Sequence, residues 1–108
     1  MAKRILFRPK ASQDIDEHYK FIDGNNPDAA LAFFDAVRET VAQIARMPGI
    51  GSLYPVNQPS LQGIRKWAVK RYKKYLIFYF EREDAVEIVR ILYASQDISS
   101  IFDQPMDA

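Results

Sequence analysis

Between Ile64 and Tyr93 apolar side chains recur at a two-residue period on both faces of the chain, and no other segment does so. In its middle, Tyr75, Ile77 and Tyr79 point one way while Leu76, Phe78 and Phe80 point the other. That pattern predicts a central strand over residues 74–82, wetted on neither face. Val86, Ile88 and Leu92 against Val89, Ile91 and Tyr93 repeat it over residues 85–93. Arg82, Glu83, Asp84 and Ala85 break the apolar pattern between the two, which predicts a hairpin and antiparallel neighbours. Over residues 64–70, Arg65, Trp67 and Val69 share one face and Lys66 and Lys70 take the other. This charged, one-sided pattern belongs to a strand nearer an edge.

Upstream the period changes. Residues 3–8 form a short strand with Ile5 and Phe7 on one face, and Pro9 then fits the first turn of a helix, where its missing N–H has no intrahelical partner to lose. Ala11, Ile15, His18 or Tyr19, and Ile22 recur at helical spacing over residues 10–23, with Asp14, Asp16, Glu17, Lys20 and Asp23 on the wet face. Gly24 and Asn25 end this helix. Asn26 is a second N-cap, followed by Pro27 and by Asp28 against the helix dipole. Ala30, Phe33 or Phe34, Val37, Val41 and Ile44 then make a stripe over residues 27–47, stopped by Pro48 and Gly49, so the two helices form an antiparallel hairpin. Residues 48–63 have no sustained period and read as a loop. A loop this long in a compact domain points to a functional or partner-contacting segment. Ser95 or Asp97 can cap a last helical turn that places Ile98, Ile101 and Phe102 over an apolar surface, and Pro105 ends it.

The expected fold is therefore α+β: a single domain over residues 1–108 with an antiparallel four-stranded sheet, a helical hairpin on one face and a short C-terminal helix. The second face of the sheet must be closed by curvature and the C-terminal turn, or by a partner.

Length and composition narrow the chemistry. The 108 residues suffice for one core and not for two. There is no cysteine, hence no disulfide, no thiolate metal site and no cysteine nucleophile. Lys3 and Arg4 precede only Ile5, Leu6 and Phe7 before Arg8 and Pro9, and no apolar run approaches membrane-spanning length, so the expected location is the cytoplasm. A net charge of +1 and a pI near 7.9 fall short of the pI above ~9 that marks a dedicated nucleic-acid-binding domain. Local charge has to carry any such role.

Five blocks in order resemble one family. They are ILFRPKASQDI, the helix start NPDAALAFFDAV, RMPGIG, VKRYKKYLIFYF and VEIVRILYASQDI. Together they resemble the RelE/ParE superfamily, the toxin halves of bacterial type II toxin–antitoxin modules, over nearly the whole chain. The resemblance implies the fold just derived and a cognate antitoxin partner in a toxin–antitoxin hetero-oligomer. It implies one of two activities on one scaffold: inhibition of DNA gyrase by direct contact, or ribosome-dependent cleavage of messenger RNA.

Arg65, Lys66, Lys70, Arg71, Lys73 and Lys74 place six cations within ten residues, interleaved with Trp67, Tyr72 and Tyr75. Cations with aromatics neutralise phosphates and stack bases. They also keep an edge strand soluble, or dock an acidic antitoxin segment. The expected binding residues for antitoxin or nucleic acid are Arg65, Lys66, Trp67, Lys70, Arg71, Lys73 and Lys74. Metal-free RNA cleavage needs a base, cations for the phosphorane and an acid, and Arg65, Lys66 and Tyr93 are the candidates. Many ribonuclease relatives read something like V-L-H-x-x-R-D where this chain has Ile91-Leu92-Tyr93-Ala94-Ser95-Gln96-Asp97, so Tyr93 stands at the histidine position and Gln96 at the arginine. Glutamine cannot transfer protons in this way.

The other polar residues carry less. His18, the single histidine, reads as a helix-boundary residue, and Asp14, Glu17 and Asp28 read as solvated helix charges. No carboxylates have metal-ligand spacing, so neither a metal nor a cofactor is expected. Pro48-Gly49-Ile50-Gly51 neither follows a strand nor opens a helix, which removes the context a phosphate-cradling loop requires. The near-neutral pI and the departures at Tyr93 and Gln96 favour a gyrase-binding toxin of the ParE kind that performs no chemistry, which the helical hairpin with its proline-initiated second helix also resembles. The alternatives are a metal-independent endoribonuclease of the RelE kind, with the ribosome and messenger RNA as partners, and a decayed toxin that retains only antitoxin binding.

Overall fold

The computed structural model describes residues 2–24 and 26–105; Asn25, read above as part of the first helix's end, lies outside them. The elements in order are β1 (Arg4–Phe7), α1 (Pro9–Asp23), α2 (Pro27–Arg46), a 3-10 turn (Pro48–Ile50), β2 (Ser52–Leu53), a second 3-10 turn (Pro59–Leu61), β3 (Arg65–Val69), β4 (Tyr72–Glu81), β5 (Ala85–Tyr93) and α3 (Ile98–Asp103). The caps act as the sequence predicts. Pro9 opens α1, the Asn26 side chain accepts the Ala29 N–H at 3.1 Å, and Asp97 accepts the Ser100 N–H at 3.3 Å.

The α+β class holds, with two changes to the sheet. It has five strands in the order β1-β5-β4-β3-β2, because part of the predicted loop forms the two-residue strand β2 against Arg65 and Lys66. It is mixed rather than antiparallel, because β1 pairs parallel with β5. Apolar alternation reports which face a side chain takes and carries no strand direction, so the sequence could not distinguish the two cases. β4 is central as expected, flanked by β3 and β5.

The two faces of β4 bury two separate cores. Ile77 and Tyr79 pack with Val86, Ile88 and Ile91 beneath Phe33, Val37, Val41 and Ile44 of α2. Phe78 and Phe80 pack on the other face with Val89, Leu92, Leu61, Ile64 and Phe102. That second face is closed by the chain itself, through the loop residues Tyr54, Val56 and Leu61 and through Ile98, Ile101 and Phe102 of α3. Each large side chain fully removed from water there contributes ~1.5–3 kcal/mol.

The alternation of β5 is not continuous. Phe78 pairs with Arg90 and Tyr79 with Ile88, leaving Val89 unopposed in a bulge. Ile91 therefore joins Val86 and Ile88 beneath the helices, while Leu92 joins Val89 on the far side. The groupings expected from unbroken alternation are corrected by that one-residue shift. The bulge also brings Arg90 to Asp14. Asp14 is buried at 5% exposure rather than solvated, and it holds Arg90 through two hydrogen bonds of 2.7 and 2.8 Å.

Candidate functional site

The six cations do not form one groove, because strand pairing divides them. Arg65 lies opposite Tyr79 and Trp67 opposite Ile77, which puts both beneath the helices, while Lys66 lies opposite Phe78 on the far face. Arg65 donates to the Gly51 carbonyl at 2.6 Å, and the Lys66 ammonium sits 5.6 Å from the centre of the Tyr54 ring. The pairing then jumps from Ala68 with Leu76 to Val69 with Tyr72, and Lys70 and Arg71 form the two-residue turn. Arg71 takes a positive φ of 69° there, a conformation that a non-glycine residue adopts at some cost. Lys70 and Arg71 both reach Glu39 on α2, at 3.9 and 3.3 Å. Lys70 thus lies on the helix side, not on the face of Lys66 as strand alternation implied. Lys73 and Lys74 are exposed at the start of β4.

The hairpin and the C-terminal half of α2 enclose a groove of about 770 Å³. Glu39, Gln43 and Arg46 form its helical wall, Trp67 and Ala68 its floor, and Lys70 and Lys73 its lip. The Trp67 indole donates to the Gln43 side-chain oxygen at 3.4 Å.

Tyr93 lies in an aromatic cluster near the start of β4, opposite Tyr75. Its ring meets Tyr75 edge-on at 4.8 Å, and Tyr75 meets His18 at 4.9 Å and Phe33 at 4.7 Å. Burial, and then the neighbouring Tyr93, push the Tyr75 hydroxyl above the usual tyrosine value. His18 Nε2 is 2.8 Å from the Ile91 carbonyl. A carbonyl only accepts, so that nitrogen carries the proton. Gln96 accepts the Tyr93 backbone N–H at 2.6 Å, and the glutamine thus closes the turn after β5. Arg65 and Tyr93 flank β4 on opposite sides, opposite Tyr79 and Tyr75. They are separated by roughly 13 Å along the strand and roughly 10 Å across it at ordinary strand spacings, and Lys66 is on the other face. The three candidates for RNA cleavage are not brought together.

A second groove, of about 390 Å³, was not legible in the sequence. Ile5 and Phe7 of β1, Ile15 of α1, and Phe34, Val37 and Val41 of α2 line it. β1 is an edge strand with every residue exposed, including Leu6 at 45% and Phe7 at 42%. Arg4 and Arg8 donate their N–H groups to Asp84 and Ile88, toward β5, so by alternation the backbone of Ile5 and Phe7 faces outward. An apolar groove beside an open strand edge is a surface suited to a partner. The hydrophobic run Ile5-Leu6-Phe7 was its only trace in the sequence, and a buried first strand has the same pattern.

Among the described residues no group of three or more histidine, aspartate or glutamate side chains is placed to hold a metal ion, and no helix is long and apolar enough to cross a membrane.

Residues 5–98 match the family model of the ParE toxin of the type II toxin–antitoxin system parDE. The chain belongs to this family. The ParE assignment spans β1 to the start of α3, so both grooves lie within it. Among solved structures, the chromosomal ParDE toxin–antitoxin system from P. aeruginosa is similar at 20% identity and a TM-score of 0.70, over 87% of this chain and 98% of that one. The YoeB-YefM complex from Staphylococcus aureus is similar at 18% identity and a TM-score of 0.51, over 86% of this chain and 98% of that one. These likenesses support the shared fold. No curated protein matches the chain by sequence.

Proposed function

We propose that this ParE-family toxin arrests DNA gyrase in the cytoplasm by direct contact, without making or breaking a covalent bond, and that a cognate antitoxin neutralises it in a hetero-oligomer. The observation that supports contact rather than chemistry is the separation of Arg65, Lys66 and Tyr93. Proton transfer and phosphorane stabilisation require groups within hydrogen-bond reach of one phosphodiester, and these three lie on different faces or ends of the sheet. The choice of gyrase follows the ParE family to which the chain belongs.

The antitoxin reading is supported by the apolar groove beside β1. A segment that is disordered when free gains most by covering exposed apolar surface while pairing its backbone with a strand edge, and Ile5, Phe7 and Phe34 offer such a surface beside the open edge of β1. Plasmid topology in cells tests both parts. Plasmid from cells expressing the chain should lose negative supercoiling, co-expressed antitoxin should restore it, and a Phe7→Glu variant should remain active while escaping neutralisation. Normal supercoiling in growth-arrested cells would contradict the gyrase reading. Full neutralisation of Phe7→Glu would move the antitoxin elsewhere.

A further inference from the structure

The two grooves lie on opposite flanks of α2. At 100° per residue, Glu39, Gln43 and Arg46 fall on one side of the buried stripe made by Phe33, Ala36, Thr40 and Ile44, and Phe34, Val37 and Val41 fall on the other. Occupancy of the groove at β1 therefore leaves the groove at β3 open.

The β3 groove has three properties that together specify an occupant. First, its cations are available. Among the described residues Arg46 and Lys73 have no ion-pair partner, and Lys70 is held by Glu39 only at 3.9 Å. Second, the edge of β3 is open at one position. Tyr54 donates to the Ile64 carbonyl and Ser52 pairs with Lys66, so the even-numbered residues turn their backbone away from β4. At the other end, the Lys70 N–H donates to the Thr40 hydroxyl of α2 at 2.9 Å. Between these covered positions, Ala68 turns its N–H and C=O outward by the same alternation, and β2 has already ended. Third, the floor is apolar and aromatic, with Trp67 fixed by Gln43.

We infer that this groove is a second docking site, which takes an extended acidic peptide segment of a partner protein: the segment pairs its backbone with Ala68, lies against Trp67 and sets its carboxylates on Arg46, Lys70 and Lys73. A peptide is favoured over a nucleic acid strand because the exposed backbone position offers one donor and one acceptor to an amide. The cations flank a short apolar floor and do not follow a continuous track, whereas single-strand binders line up cations along the strand. The inference does not depend on the identity of the toxin's target.

The test uses the full chain and an end-capped eight-residue peptide of alternating glutamate and valine. Two-dimensional 1H–15N NMR reads the Ala68 amide and the indole N–H of Trp67, the single tryptophan. Both should shift and saturate together as peptide is added, with the Ala68 proton moving downfield as its hydrogen bond forms. Lys70→Gln combined with Lys73→Gln, both at exposed positions, should weaken binding at least ~tenfold at low salt and flatten its salt dependence. A peptide N-methylated at alternate amides should lose a similar factor. The site is refuted if neither signal moves up to millimolar peptide, if Ala68 stays fixed while the peptide saturates, or if an eight-nucleotide single strand or a lysine–valine peptide binds as tightly.

Discussion

Asp14 on α1 holds Arg90 on β5 through two hydrogen bonds of 2.7 and 2.8 Å and accepts the Ile91 N–H at 3.0 Å. One carboxylate thereby joins the helical hairpin to the sheet beside the bulge at Val89. The hydrogen bond to Asp14 holds the Arg90 guanidinium above its already high ordinary value. Asp14→Ala leaves Arg90 half-buried without its partner and should cost ~3–5 kcal/mol. Asp14→Leu with Arg90→Met should cost less than Asp14→Ala alone, since an apolar pair leaves no stranded charge. Urea unfolding of the three proteins compares them directly.

The far face of the sheet has its own core, and Phe78 is its centre. Its ring meets Phe102 at 4.9 Å and Tyr54 at 5.2 Å, and it is fully buried. Phe78→Ala should cost ~3–5 kcal/mol, whereas Leu53→Ser, at a position 63% exposed, should change stability by less than ~0.5 kcal/mol. A loss below ~1 kcal/mol for Phe78→Ala in the same unfolding experiment would contradict the two-core arrangement.

Stability should also depend on Glu87 in acid. Burial works to raise its carboxyl value, but hydrogen bonds from Arg8 and Arg82 prevail and hold it below the usual range. The closest contacts are 2.8 Å to each guanidinium. A carboxylate whose value is lowered by folding contributes stability above the unfolded value, near ~4.3, and that contribution is lost as pH falls through the folded value. Glu87→Gln should therefore be less stable than the parent at pH 7, and the gap should narrow as pH drops below ~4. A gap that stays constant through acid would assign the effect to packing. Unfolding midpoints measured across that range decide between the two.

Much of this fold is written in local signals. Pro9, Asn26 and Asp97 start helices where their chemistry demands, and the two-sided alternation of Tyr75 to Phe80 fixes β4 at the centre. What the sequence hid is non-local. The direction of β1 and the pairing of β2 depend on which distant edge is vacant, and the bulge at Val89 changes a phase that alternation alone reads as continuous. Asp14 shows the same limit. Its position on the helix wheel reads as wet, and its burial follows only once Arg90 arrives from β5. Likewise, the basic segment reads as one patch in the sequence, while the β3–β4 ladder distributes Arg65, Lys66 and Lys70 among different surroundings.

Gyrase contact and RNA cleavage make opposite demands on Tyr93. The decisive measurement runs wild type and a folded Tyr93→Phe variant side by side, scoring supercoiling by purified gyrase and the integrity of messenger RNA in a translating extract. Under direct contact both proteins should block supercoiling at the same concentration and leave the message intact, because that reading gives the Tyr93 hydroxyl no chemical task and the phenyl ring can keep its packing on Tyr75. The contrary result is unimpeded supercoiling, together with message cleavage by the wild type that falls about a hundredfold or more in Tyr93→Phe, the scale of a lost proton-transfer group.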